Sequence, residues 1–78
     1  MLQAGEILDQ YYLDTRCMLL EIAATLDRLD LAAERDVESA TNGDYRVHQI
    51  YRSLAMLADA DTTPDRAERL LNLFSDLD

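Results

Sequence analysis

The chain has 78 residues, with 16 acidic and 7 basic side chains and a net charge of −9. This charge repels nucleic-acid phosphate and an anionic membrane face, so neither is an expected partner. Apolar residues make up 49% of the chain, with only two glycines and one proline, which predicts one folded all-α domain over residues 1–78 rather than a disordered acidic tail. A unit this short buries only roughly 60% of its unfolded surface, so it often needs a disulfide, a metal or a second chain.

Cysteine usage favours a reducing compartment. Cys17 is the single cysteine of the chain, so no intrachain disulfide can form, and no Cys/His cluster has zinc spacing. The amino terminus has no basic region, and no apolar run is longer than the five residues 54–58, which predicts neither a signal peptide nor a spanning helix. We therefore expect a cytoplasmic protein without a membrane partner.

The first predicted helix covers about residues 4–35 or beyond. It contains no proline and no glycine after Gly5, and it is rich in Leu, Ala, Glu and Arg, which favour helix. If the helix continues toward Ala40, the Asn42-Gly43 pair is its natural end, because glycine accepts the left-handed conformation that closes a helix.

Two shorter helices follow. Asp44 is the predicted N-cap of a second helix over about residues 45–58. Thr63 and Pro64 are start signals for a third helix over about residues 64–77, with Thr63 accepting a first-turn amide and Pro64 at the first helical position. The sequence therefore predicts a three-helix unit with one long and two short helices.

Both short helices are predicted to be amphipathic, with one face to bury. The apolar face of the second helix is formed by Val47, Ile50, Tyr51, Leu54, Leu57 and Ala58. Its opposite face carries Tyr45, Gln49, Arg52, Met56 and Asp59. The apolar face of the third helix is formed by Ala67, Leu70, Leu71, Phe74 and Leu77, with Arg66, Arg69 and Asn72 turned outward.

The long helix differs because it carries two separate apolar sectors. The wide sector comprises Ala4, Leu8, Tyr11, Tyr12, Met18, Leu19, Ile22, Ala23, Leu26 and Leu29. The narrow sector comprises Leu2, Leu13, Cys17, Leu20, Ala24 and Leu31. Two short helices can cover only one of these sectors, so the other requires a second chain.

We therefore expect a homodimer in which the long helices pack against each other, antiparallel, to form a four- or six-helix bundle. The predicted dimer interface is the part of the narrow sector formed by Leu13, Cys17, Leu20, Ala24 and Leu31. Asp14, Glu21 and Arg28 lie on a polar seam between the sectors. Antiparallel pairing would bring Asp14 or Glu21 opposite Arg28 of the other chain and so define the register.

The chemistry-bearing residues point to binding rather than catalysis. No Gly-rich phosphate loop, nucleophile triad or metalloprotease motif is present. Cys17 lies among leucines without a histidine to activate it, which predicts an unreactive thiol. Tyr45, Arg52 and Met56 form a predicted patch for a protein partner, since these residue types are enriched at interfaces. The sequence thus predicts a non-enzymatic structural or protein-interaction module without a cofactor.

The alternative is a metal-binding, ferritin-like bundle. Asp44 and His48 are four residues apart and share a helix face, and two chains together with Glu21 could hold iron, manganese or zinc. The di-iron motif places a glutamate three residues before its histidine, whereas this chain has Tyr45 there. A third reading uses the negative charge to mimic nucleic acid or to neutralise a basic protein.

Several segments resemble a group of small uncharacterised all-helical bacterial proteins of planctomycete type. The resemblance is carried by residues 7–9, 11–14, 16, 19–24, 26–28, 44–47 and 73–76. It covers most of the chain and implies a cytoplasmic bacterial protein. It implies no activity, cofactor or site residue.

Overall fold

The computed structural model describes residues 2–35 and 44–75. They form three helices, α1 (Ala4–Arg35), α2 (Tyr45–Ala58) and α3 (Arg66–Ser75), and no strand occurs within these ranges. The all-α prediction is therefore confirmed. The chain divides into two compact units, Met1–Ala40 and Thr41–Asp78, so that α1 belongs to the first unit and α2 and α3 belong to the second.

The first unit is built on a single helix of 32 residues, about 48 Å long at 1.5 Å per residue. The Gln3 carbonyl accepts the Ile7 amide at 3.1 Å and starts the helix. Glu6 in the first turn and Arg35 in the last turn stabilise the helix, because their charges are opposite to the partial charges at the two helix ends. The bounds coincide with the expected 4–35, and the predicted continuation with its end at Asn42-Gly43 lies outside the described residues.

The second unit begins with the predicted cap of α2. The Asp44 carboxylate accepts the Arg46 amide at 2.9 Å, and the Asp44 carbonyl accepts the Val47 amide at 3.2 Å. The cap satisfies a first-turn donor that has no partner within the helix. A purely local interaction thus determines where α2 starts.

The start of α3 differs from the prediction. The Asp65 carbonyl accepts the Arg69 amide at 3.0 Å, and the helix begins at Arg66 rather than at Pro64. The Thr63 hydroxyl donates to the Asp65 carboxylate at 2.9 Å and does not cap a first-turn amide. A tight turn is closed by the Asp65 amide, which donates to the Thr63 carbonyl at 2.8 Å. This turn delays the helix by two residues.

The contact between α2 and α3 is centred on polar side chains. Gln49 and Ser53, one turn apart on α2, are the buried residues of that helix. The Gln49 amide Nε2 donates to the Leu73 carbonyl of α3 at 3.4 Å, while the Ser53 hydroxyl donates to the Gln49 carbonyl at 2.8 Å. The expectation that Gln49 lies on an outward face is wrong, because its side chain is buried and bonds to α3.

Candidate interaction surfaces

The described residues contain no buried apolar side chain. Gln49 and Ser53, each 8% exposed, are the buried residues among them. Fifteen large apolar side chains are exposed, although monomeric proteins rarely leave contiguous apolar patches of large area open to water. The candidate functional features of this chain are therefore surfaces rather than a cleft.

The narrow sector forms one stripe on α1. Leu13, Leu20 and Leu31 are 62%, 59% and 56% exposed, Cys17 is also exposed, and Ala24 is half-buried. Because α1 is one continuous helix, spacings of four, three, four and seven residues bring these five side chains to the same side. The structure thus joins all five predicted interface residues into one apolar stripe that is exposed except at Ala24.

The wide sector is uneven along α1. Its amino-terminal members are exposed: Leu8, Tyr11, Tyr12, Met18 and Leu19. Its later members Ile22, Leu26 and Leu29 are half-buried. A shallow apolar depression on the first turns is lined by Ala4, Ile7, Leu8, Tyr11, Tyr12 and Thr15. The sequence analysis placed Ile7 in neither sector. Its spacing of three residues from Ala4 indicates that it shares the face of the wide sector.

The charged side chains beside the narrow sector are open to solvent. Asp14, Glu21 and Arg28 are all exposed. Among the residues that the structure describes, the ion pair is Arg46 with Asp44, and none of the charged residues of α1 forms one with another described residue. These groups remain available to a second molecule.

The Asp44 side chain is bonded to Arg46 in the first turn of the helix that Asp44 caps. Its carboxylate accepts Arg46 Nε at 3.1 Å and Arg46 Nη2 at 2.7 Å, in addition to the Arg46 amide. The side-chain and backbone hydrogen bonds from Arg46 lower the pKa of Asp44 to about 2, and the same pairing raises the pKa of Arg46. Both Asp44 oxygens are thus already used within the second unit.

The residues of the metal alternative come from two different units. His48 is exposed one turn after Asp44, and Glu21 belongs to the other unit. In residues 2–35 and 44–75, no three His, Cys, Asp or Glu side chains form a group that could hold a metal ion.

The predicted partner patch on α2 is only partly open. Tyr45 and Arg52 are exposed, whereas Met56 is half-buried. Met56 lies seven residues after Gln49 and so shares the face that turns toward α3. The open part of the patch therefore consists of the tyrosine ring and the guanidinium group.

Four apolar side chains of the α2–α3 hairpin stay exposed, although the sequence pattern predicted buried apolar faces for both helices. They are Tyr51, Leu57, Leu71 and Phe74, with Leu71 67% exposed. The buried residues of α2 are instead the polar Gln49 and Ser53.

The arginines of α3 also have a role that the pattern did not indicate. Arg66 donates to the Asp59 carbonyl at 3.0 Å, and Arg69 donates to the Thr62 hydroxyl at 2.7 Å. Asp59 is the C-cap of α2, so Arg66 satisfies a carbonyl at the end of that helix. The expectation of two outward arginines is wrong, since both are half-buried against the linker.

No protein-family model, curated protein or solved structure matches this chain. Among the described helices, none is both long and apolar enough to cross a membrane.

Proposed function

We propose that this protein is a non-enzymatic helical interaction module that acts as a homodimer in the bacterial cytoplasm. The observation that carries the proposal is the exposed narrow sector on a 32-residue helix. The interface consists of Leu13, Cys17, Leu20, Ala24 and Leu31, and the open residues of α2 then contact a further protein.

The free energy of apolar burial favours this function. Burying a leucine side chain contributes about 1.5–3 kcal/mol. A dimer formed through the narrow sector removes Leu13, Leu20 and Leu31 of both chains from water. This gain acts against the entropy lost on association, and a chain with a net charge of −9 needs such a contribution to offset self-repulsion.

The chemistry of the exposed surfaces supports binding of protein. Tyr45 and Arg52 are of the types that contribute most to protein interfaces. The acidic surface disfavours nucleic acid and anionic lipid as partners. The module therefore offers one apolar stripe for self-association and one aromatic, cationic patch for another protein.

The test is the solution mass of the full chain, measured by light scattering coupled to size exclusion, for the wild type and two variants. Leu20→Arg changes the narrow sector. Leu19→Arg is the matched control, because it makes the same change at a neighbouring, equally exposed residue of the wide sector. We expect a wild-type dimer, a monomeric Leu20→Arg variant with helical circular dichroism, and a dimeric Leu19→Arg variant.

A wild-type monomer at micromolar concentration would overturn the proposal. A dimer that survives Leu20→Arg but is lost with Leu19→Arg would assign the interface to the wide sector instead. Retained helicity in the variants separates loss of association from loss of folding.

A further inference from the structure

Two arginines in the middle of α1 have no acidic neighbour on their own helix. Side chains three and four residues apart are the ones that meet on a helix surface. Around Arg16 these are Tyr12, Leu13, Leu19 and Leu20, and around Arg28 they are Ala24, Thr25, Leu31 and Ala32. In a chain with 16 acids and 7 bases, both guanidinium groups stand without an intrahelical carboxylate.

None of the acidic residues of α1 has a basic residue three or four positions away. Two of them, Asp14 and Asp30, lie beside the narrow sector at heptad positions that correspond to those of the two arginines. The apolar stripe follows a heptad repeat through Leu13, Cys17, Leu20 and Ala24. The helix surface on each side of this stripe is called a flank here. Asp14 and Arg28 lie on one flank, and Arg16 and Asp30 lie on the other. Between residues 14 and 30, one flank thus runs from negative to positive along the chain, and the other runs from positive to negative.

Because the sign of the charge changes along each flank, a second copy of the helix running in the opposite direction brings opposite charges together. In an antiparallel pair of helices, each flank faces the identical flank of its partner, read in the opposite direction. We infer, building on the homodimer proposed above, that the narrow sector is covered by α1 of a second copy running antiparallel, with the two-fold axis level with residue 22.

In this register, apolar residues pack against apolar residues and the charged residues on the flanks attract each other. Leu13 packs against Leu31 of the second copy, and Leu20 packs against Ala24. Asp14 then faces Arg28 of the second copy, and Arg16 faces Asp30, so that the two-fold axis creates four attractive pairs. One like-charge contact remains, between the two Glu21 side chains beside the axis.

The competing antiparallel registers are less favourable in charge or in overlap. Shifting the register by one heptad toward the amino terminus places Asp14 opposite Glu21 and Asp9 opposite Asp30. Shifting it toward the carboxyl terminus pairs Glu21 with Arg28 and Asp14 with Arg35, but it packs Cys17 against Glu34 and shortens the overlap to residues 16–35.

A parallel, in-register pair combines attractive and repulsive contacts. It brings Arg16 opposite Glu21 and Asp30 opposite Arg35, but it also places Asp9 opposite Asp14, aligns Asp27 with its own copy and leaves Arg28 opposite Ala23. Like charges at such positions oppose association and select the partner orientation.

The overlap is long enough for a helix pair. With the axis at residue 22, residues 9–35 of both copies run side by side over about 40 Å. This length is nearly four heptads, within the range over which a heptad pattern supports a coiled coil.

The native cysteine distinguishes the orientations. In the inferred register, Cys17 of the two copies is ten residues apart along the axis, or about 15 Å, which is beyond the roughly 7 Å limit for a disulfide. A parallel in-register pair would place the two thiols in the same layer. We therefore expect the oxidised wild-type dimer to separate into single chains on a non-reducing denaturing gel.

Engineered cysteines test the register directly. In a Cys17→Ser background, Leu13→Cys and Leu31→Cys are made as separate proteins, one carrying a mass tag, and are oxidised alone and after mixing. We expect the mixed disulfide to predominate after mixing, with little disulfide in either protein alone. Disulfides formed mainly by each protein alone would overturn the inference.

Charge reversal gives a second readout for the case in which a cysteine variant fails to associate. We expect Arg28→Asp to weaken the dimer by about tenfold or more, and Asp14→Arg combined with Arg28→Asp to restore it. Arg52→Asp, the same charge change on α2, is the control and should leave the dimer constant unchanged.

The outcomes separate the two proposals. A monomeric wild type overturns the homodimer and the register together. A wild-type dimer that crosslinks through Cys17, or that is not restored by the charge exchange, overturns the antiparallel register and leaves the homodimer standing.

Discussion

Gln49 of α2 donates its side-chain amide to the Leu73 carbonyl of α3 at 3.4 Å, and this bond crosses the hairpin where the two helices meet. Leu73 lies in the last turn of α3, where carbonyls lack a partner within the helix. A polar side chain that sequence periodicity assigns to the outward face therefore both packs against α3 and satisfies its end.

Removing this bond should loosen the hairpin. We expect Gln49→Ala to lower the free energy of unfolding by about 1–2 kcal/mol, because it loses a hydrogen bond and buried side-chain volume. Gln49→Met is the matched control, since it keeps the length of the side chain but not the donor, and it should cost less. Chemical denaturation followed by circular dichroism measures both, and a Gln49→Met variant as stable as the wild type would show that packing alone matters.

The Asp44 cap should make the second unit sensitive to acid. Since the pKa of Asp44 is lowered to about 2 in the folded chain from an ordinary value of 3.8, its contribution to stability is fully present above about pH 4. That contribution is lost as the pH falls from 4 toward 2. We expect Asp44→Ala to lower the thermal midpoint at pH 7 and to change it little at pH 2.

The control for the Asp44 prediction is Arg46→Gln, which keeps the backbone cap but removes the guanidinium group. This variant should show an intermediate midpoint at pH 7, because one of the two sources of the shift remains. A midpoint difference between wild type and Asp44→Ala that does not shrink between pH 4 and pH 2 would contradict the role assigned to the ionised carboxylate.

In the inferred antiparallel dimer, Asp27 lies between the two helices and packs in the same layer as Cys17 of the second copy. A carboxylate at such an inward position weakens a helix pair because it must be desolvated. We expect Asp27→Leu to tighten the dimer by about tenfold, consistent with burial of a leucine, as measured by analytical ultracentrifugation. Thr15→Leu, on the far side of α1, should leave the association constant unchanged, and equal tightening by both variants would refute the assignment.

His48 should not be required for any metal content. Asp44, its neighbour one turn earlier, already uses both carboxylate oxygens on Arg46. We expect the untagged wild type and His48→Ala to retain the same trace metal after incubation with iron, manganese or zinc followed by dialysis. Stoichiometric metal in the wild type that disappears in His48→Ala would establish the metal-binding bundle instead.

Sequence alone was sufficient for the features that depend on neighbours along the chain. The bounds of α1 and α2 and the cap at Asp44 follow from helix propensity and from hydrogen bonds within a few residues. The stripe that joins Leu13 and Leu20 likewise follows from periodicity, because α1 is one uninterrupted helix.

The tertiary structure decided which side of each short helix is covered. Apolar periodicity assigns Tyr51 and Leu71 to the contact, yet the hairpin places Gln49 and Ser53 there and leaves both apolar residues exposed. Relative rotation of two helices depends on the turn that joins them and on the hydrogen bonds across that turn, such as the one from Arg66 to Asp59. These contacts link residues of different helices, so a pattern read along one helix does not contain them.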